Sequence, residues 1–341
     1  MLTVLSVAYP LAPVGPDAVG GAEQVLSAID HAVASAGHRS LVVASAGSVV
    51  AGELLELPAI PAGLDDAARC GQQAAVRDVL AWAVARADVV HLHGIDFDAY
   101  LPPPGPPALV TLHLPPDWYA PGALRPARPR TWLHCVSASQ HSACPPGLAL
   151  LPPIANGVPV RALAAARHAP RGFALMLGRM CPEKGQHLAL RAAHLVGVSL
   201  LLGGEVFPYA CHQDYFAREV APLLDTRRRF LGPVGFARKR RLLSAARCLL
   251  VPSTAAETSS LVAMEALACG TPVIARRVGA LPDIVEHGRT GFLVDDAASM
   301  AAAIGRVGEI DRELCRAVAR ERFSAARMTD AYLDLYRRLA A

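Results

Sequence analysis

Two glutamates, Glu257 and Glu265, sit in the stretch Val251 to Val273, which reads Val-Pro-Ser-Thr-Ala-Ala-Glu-Thr-Ser-Ser-Leu-Val-Ala-Met-Glu-Ala-Leu-Ala-Cys-Gly-Thr-Pro-Val. A strand ending near Val251, a polar loop and a helix starting around Ser259 or Ser260 account for it, with the helix stopping near Gly270. Backbone N–H groups at such a helix start, aided by the helix dipole, make a site for a phosphate. Glu257 then lies in the loop beside that anion, and Glu265 about two turns along the helix. A carboxylate touching the phosphate would be repelled. The pair instead suits neutral hydroxyls, those of a sugar at one end and of a ribose at the other. By spacing alone, an exposed loop residue and a solvated helix position explain the two equally well.

A second group follows the expected strand Phe173 to Leu177, in Gly178-Arg179-Met180-Cys181-Pro182-Glu183-Lys184-Gly185. Arg179 at the strand end and Lys184 at a helix start can converge on a diphosphate, one as a flat fork and one as a compact charge. A surface ion pair with Glu183 is the alternative. His113 closes the run Val110-Thr111-Leu112-His113, where a lone histidine is ordinarily a satisfied structural residue. Gly20-Gly21 before Ala22-Glu23 permits close backbone approach to a ligand but lacks the dinucleotide G-x-G-x-x-G spacing. His91 and His93 share a strand face, yet no third ligand accompanies them, and no metal is assigned. Asp96-Phe97-Asp98 spells a D-x-D metal pattern, short enough to arise by chance.

The elements that must place these residues are short apolar runs alternating with amphipathic stretches, the pattern of βα units around a parallel sheet. The class is α/β. Strands are expected at Leu2 to Ala8, Leu41 to Ala44, Val89 to His93, Leu109 to His113 and Trp132 to Val136, with helices over Gly21 to Ala36 and Asp66 to Arg86. A segment rich in proline, alanine and arginine, Pro152 to Gly172, separates these from a second series. That series has strands at Phe173 to Leu177, Ser199 to Leu202, Cys248 to Val251, Pro272 to Ala275 and Gly291 to Val294. Met328, Tyr332, Leu335 and Leu339 form an apolar stripe on the last helix.

At 341 residues, with 53% hydrophobic and 18% charged, the chain has room for two domains and does not have the composition of a disordered protein. Net charge is +4, and the basic runs Arg227-Arg228-Arg229 and Arg238-Lys239-Arg240-Arg241 read as solvated helix faces. No basic face interleaved with aromatics points to nucleic acid. Eight cysteines form no C-x-x-C pair and sit largely in apolar runs, as buried reduced thiols of a cytoplasmic protein. No apolar stretch reaches about 18 residues, so no membrane span is expected, and peripheral membrane contact stays open.

The E-x7-E pair, preceded by Pro252-Ser253 and followed by A-x-A-x-G-x-P-V, resembles the family 4 retaining glycosyltransferases, and the resemblance covers nearly the whole chain. Gly20-Gly21-Ala22-Glu23 is similar to that family's N-terminal glycine loop, and Ile154-Ala155-Asn156-Gly157-Val158 to its I-x-N-G-V block. Gly279 to Val285 and Gly291 to Val294 resemble its hinge and cleft-wall elements. The implied fold is GT-B, two Rossmann-like doubly wound domains facing a central cleft. Residues 1–160 would bind the acceptor, 161–320 the donor, and 321–341 would form a helix returning to the first domain.

The resemblance implies a metal-independent, cofactor-free retaining hexosyltransferase. Its donor would be a nucleoside diphosphate sugar, a UDP-sugar ahead of a GDP-sugar, and its acceptor a hydroxyl on a glycan, lipid-linked sugar or small molecule. The implied catalytic residues are His113, Arg179, Lys184 and Glu257, and the implied donor site adds Gly20, Gly21, Thr258, Ser259, Ser260, Leu261 and Glu265. Many members carry E-G-F-G where this chain has Glu257-Thr258-Ser259-Ser260, hydroxyls in place of glycines. The turn Gly203-Gly204-Glu205-Val206-Phe207 stands where the family often has a compact G-x-G. A noncatalytic nucleotide-sugar-binding scaffold and a nucleotide-sugar epimerase of the same fold are the alternatives.

Overall fold

The computed structural model describes residues 1–59 and 65–341, which divide into two units: Met1–Asn156 with Ala326–Ala341, and Gly157–Ala325. In unit 1 the strands are β1 (Thr3–Val7), β2 (Arg39–Ser45), β3 (Glu53–Leu57), β4 (Val89–Leu92), β5 (Ala108–Leu112), β6 (Thr131–Cys135) and β7 (Leu150–Leu151). They form one parallel sheet in the order β3-β2-β1-β4-β5-β6-β7. Central strands of such a sheet are covered on both faces, which is why β1, β2 and β4 are buried along nearly their whole length and are mostly apolar, with buried polar exceptions such as Ser6 and His91.

Helix α1 (Gly21–Ser35) buries Val25, Leu26, Ile29 and Val33 and gives way at Gly37, whose φ of +75° suits a left-handed helix stop. Asp30 lies on the same buried face. Its carboxylate is satisfied there by Ser40 Oγ at 2.6 Å and by the N–H groups of Ala51 and Gly52 at 2.6 and 3.1 Å. Helix α2 (Asp66–Ala83) is capped by Asp65 and buries Gln72, Val76, Leu80 and Ala83, one helical stripe. A short α3 (Ala138–Ala143) follows β6.

Unit 2 has β8 (Phe173–Leu177), β9 (Ser199–Gly203), β10 (Arg228–Phe230), β11 (Cys248–Val251), β12 (Val273–Arg276) and β13 (Gly291–Val294), all parallel in the order β10-β9-β8-β11-β12-β13. Its helices are α4 (Val160–Ala164), α5 (Gln186–Leu195), α6 (Ala210–Tyr215), α7 (Phe236–Ala245), α8 (Leu261–Ala268), α9 (Leu281–Ile284), α10 (Ala297–Arg306) and α11 (Arg312–Arg322). The last helix, α12 (Ala325–Ala340), places Tyr332 and Tyr336 in the interior of unit 1. Two parallel-sheet Rossmann-like domains are therefore present.

Three sequence readings change. Arg227 to Arg229 is no helix face: Arg228 belongs to edge strand β10, is buried, and bonds Asp225 and the Ala193 carbonyl, each at 3.0 Å. The segment Pro152 to Gly172 contains α4 rather than connection alone. All eight cysteines are free, but Cys70 and Cys211 are exposed, since each sits on the solvent side of a helix. Among the described residues no helix is long and apolar enough to cross a membrane.

Candidate functional site

In unit 2 the chain lays down β8, β9 and β10 in one direction and then returns to β11 on the other side of β8. The loops leaving β8 and β11 thus diverge at a switch point, the place where open α/β sheets bind ligands. Gly185 brings these loops together: it has φ +70°, and a Cβ there would lie 2.5 Å from the Pro252 carbonyl oxygen. Thr254 ties them further, its N–H donating to the Glu183 carbonyl at 2.8 Å and its Oγ1 to the Pro182 carbonyl at 3.1 Å. Gln186 Nε2 donates to the Arg179 carbonyl at 2.6 Å, fixing the first loop from within.

Lys184 runs beside Gly178 and sets its Nζ 2.6 Å from Glu257 Oε1, while Ser253 Oγ donates to the same oxygen. The Glu257 side chain is 9% exposed and that of Lys184 30%, so the carboxylate is the more desolvated partner. The backbone of Glu257 is held from behind by Ala280, whose N–H donates to the Glu257 carbonyl at 2.7 Å. Gly279 makes this approach feasible, with φ +54° and no room for a Cβ, which would fall 2.2 Å from that carbonyl oxygen. The Gly279-Ala280-Leu281 block therefore positions Glu257. Lys184 takes Glu257 as its partner rather than the neighbouring Glu183.

Ser260 is the N-cap of α8 but its side chain makes no cap hydrogen bond, and Ser259 Oγ is buried without a hydrogen-bond partner among the described residues. Thr258 is half-buried between them and Glu257, and Leu261 opens the helix. Arg179 is half-buried and makes no ion pair among the described residues. Glu265 is 3% exposed, and Lys239 of α7 reaches its Oε1 at 2.5 Å. Burial pushes the Glu265 carboxyl above the usual carboxylate range and Lys239 pulls it back. The solvated-face reading of Arg238 to Arg241 therefore fails at Lys239, which the sequence alone did not single out. Its burial could have been suspected only by knowing that α7 packs beside α8.

Unit 1 holds the remaining candidates. His113 Nε2 lies 3.0 Å from His93 Nδ1 with the rings stacked, and burial pulls His113 down to about 3. Behind them His91 bonds Tyr336 and Thr111, each at 2.6 Å, and Thr111 meets His134 at 2.7 Å. His91 and His93 are thus members of a buried polar cluster. Gly20 is the N-cap of α1, and a Cβ on it would strike the Glu23 carboxylate at 1.8 Å, so Glu23 folds over the glycine that Gly21 follows. Asp96 is occupied by Tyr100 at 2.9 Å and Gln73 at 2.8 Å, while Asp98 faces solvent.

This pair of sheets is the GT-B architecture, and residues 172–309, which carry Arg179, Lys184, Glu257 and Glu265, match the family Glycosyl transferases group 1. The D-inositol 3-phosphate glycosyltransferase of Mycobacterium tuberculosis (strain H37Rv) is 38% identical over 174 residues, 48% of this chain and 36% of that protein. The chain thus spans about a third of the length of the curated relatives it matches. Among solved structures, AviGT4, a glycosyltransferase involved in avilamycin A biosynthesis, is 24% identical with a TM-score of 0.72, covering 100% of this chain and 98% of that one. Anabaena HepE in complex with UDP-glucose is 21% identical with a TM-score of 0.76, covering 98% and 99%. Sucrose-phosphate synthase from Thermosynechococcus elongatus is 20% identical with a TM-score of 0.78, covering 99% of each chain. These likenesses establish the fold.

Proposed function

We propose that this chain is a retaining glycosyltransferase of family 4 type, which moves a hexose from a nucleoside diphosphate sugar to an acceptor hydroxyl without a metal on the diphosphate. The observation that carries the reading is the Lys184 to Glu257 contact of 2.6 Å at the switch point, next to an uncapped helix start. As the glycosidic bond breaks, negative charge grows on the diphosphate. Arg179, Lys184 and the first N–H groups of α8 are the preorganised groups that would stabilise it. Lys184 turns from Glu257 to the phosphate, and Ser253 keeps the released carboxylate in place to accept sugar hydroxyls. Glu265 has Oε1 on Lys239 and offers Oε2 to a ribose hydroxyl.

In the same reading unit 1 supplies the acceptor site, with His113 toward the donor sugar and Gly20 and Gly21 near its phosphates. A UDP-sugar is the first donor to test, since HepE was solved with UDP-glucose. Arg179→Ala and Lys184→Ala should each lower transfer by about 10²–10³, the loss seen when one preorganised charge-stabilising donor is removed. Arg179→Ala is the cleaner of the two, because it leaves no carboxylate unpaired. Unchanged rates across a panel of UDP- and GDP-sugars would refute the assignment. The Thr258-Ser259-Ser260 loop favours one rival, a noncatalytic binder, which would hold the nucleotide sugar and release no nucleotide with any acceptor.

A further inference from the structure

Nothing in the sequence spaces cysteine and histidine as a metal motif, yet the fold gathers Cys181, Glu183 and His212. The Cys181 Sγ, a Glu183 carboxylate oxygen and an imidazole nitrogen of His212 all lie within 4.8 Å of one another. Cys181 is 1% exposed and His212 8%, and Glu183 is half-buried. The Nδ1 of His212 is buried without a hydrogen-bond partner among the described residues, an arrangement that native interiors rarely tolerate unless a further group completes it.

Two independent supports hold the triad. Thr254 and Gly185 fix the loop of Cys181 and Glu183 against the loop after β11. His212 rides on α6, whose Tyr215 hydroxyl bonds His187 Nδ1 at 2.8 Å and so anchors that helix to α5. His212 is also flanked edge-on by Tyr209, with ring centroids 5.1 Å apart.

We propose that Cys181, Glu183 and His212 bind a thiophilic divalent cation, with Zn²⁺ as the reference ion, and that the ion clips α6 to the loop carrying Arg179 and Lys184. One thiolate, one imidazole and one carboxylate suit zinc or cobalt rather than magnesium or calcium, which prefer all-oxygen shells. The thiol proton leaves to solvent as the Sγ–metal bond forms, and the thiolate and carboxylate offset the ion's two charges. Tetrahedral zinc, at about 2.3 Å to sulfur and about 2.0 Å to nitrogen, needs ligand atoms about 3.5 Å apart. The triad therefore closes by little more than an ångström. A water fills the fourth position, and sugar transfer does not run through the ion.

The test uses the full chain, stripped of metal with a chelator and then titrated with Co²⁺. Zn²⁺ affinity is read by competition with a chromophoric chelator. One equivalent of Co²⁺ should bind and give a thiolate-to-cobalt charge-transfer band. Cys181→Ser should abolish the band, and His212→Gln should weaken Zn²⁺ binding by about a hundredfold. Cys211→Ser, which removes the exposed neighbouring thiol, and Lys184→Ala should both keep the band. The proposal is overturned if Cys181→Ser retains the band, if Cys211→Ser loses it, or if the native chain holds Zn²⁺ no better than His212→Gln. Circular dichroism and urea midpoints of each variant separate loss of ligand from loss of fold. Lys184→Ala with an intact band but no transfer separates this site from the donor site.

Discussion

Unit 1 is expected to come apart in mild acid. His91, His93 and His134 are 0%, 3% and 0% exposed, and burial holds all three below the ordinary histidine range, His134 at about 4. In the unfolded chain they titrate near about 6.5, so below that pH the unfolded state takes up protons that the folded state refuses. Stability is therefore full above about pH 6.5 and is lost as pH falls toward the depressed folded values. At pH 5, about 1.5 units below the unfolded value, keeping His134 (about 4) and His113 (about 3) neutral costs about 2 kcal/mol each, and His91 and His93 act in the same direction. A domain of this kind holds only about 5–15 kcal/mol in total. All three tryptophans, Trp82, Trp118 and Trp132, lie in unit 1, so their fluorescence reports this unit alone. Urea titrations at pH 8 and pH 5 should show the tryptophan transition moving to low urea or vanishing at pH 5. His134→Gln should recover about 2 kcal/mol of that loss. Equal midpoints at the two pH values would show that the cluster is not kept neutral, and the reasoning would fail.

Lys239→Met should lower the stability of unit 2 by about 3–5 kcal/mol in chemical denaturation, because Glu265 stays buried without its counter-charge, and adding Glu265→Leu should restore most of it. Gly279→Ala should displace Glu257 and weaken binding of UDP in calorimetry, whereas Gly288→Ala, also at positive φ (+78°) but with open space around it, should cost only about 1–2 kcal/mol of backbone strain and leave binding intact. UDP at about a hundred times its dissociation constant should raise stability by about 2.7 kcal/mol in a thermal-shift assay, and GDP and ADP by less at the same concentration.

The sheets were readable where burial on both faces leaves an unbroken apolar run, as in β8, β11 and β12. The stop of α1 was readable from Gly37, and the start of α8 from the serines before Leu261. Two edge strands were not: β3 breaks its leucines with Glu53 and Glu56, both exposed, and β10 is three residues with two arginines, whereas the buried edge strand β13 was legible. The loop residues of the site were legible as a group, but their pairings were not. Lys184 finds Glu257, 73 positions away, and Lys239 finds Glu265, because sheet order decides which loops and helices become neighbours. The Cys181, Glu183 and His212 triad escaped for the same reason, since His212 arrives only after β9 has crossed the sheet. The D-x-D pattern illustrates the converse, a motif whose first carboxylate is already occupied within its own turn.

Val158 and the residues around Ser324 lie side by side, the Val158 N–H donating to the Phe323 carbonyl at 2.8 Å and the Ala325 N–H to the Val158 carbonyl at 2.9 Å. Unit 2 is thus inserted into unit 1 through a paired entrance and exit. During synthesis the insert has all its residues before unit 1 does, because His91 must wait for Tyr336, near the end of α12, to emerge from the ribosome. The earlier-made half is the later to be finished, because the hydroxyl that bonds His91 Nδ1 comes only with the final helix.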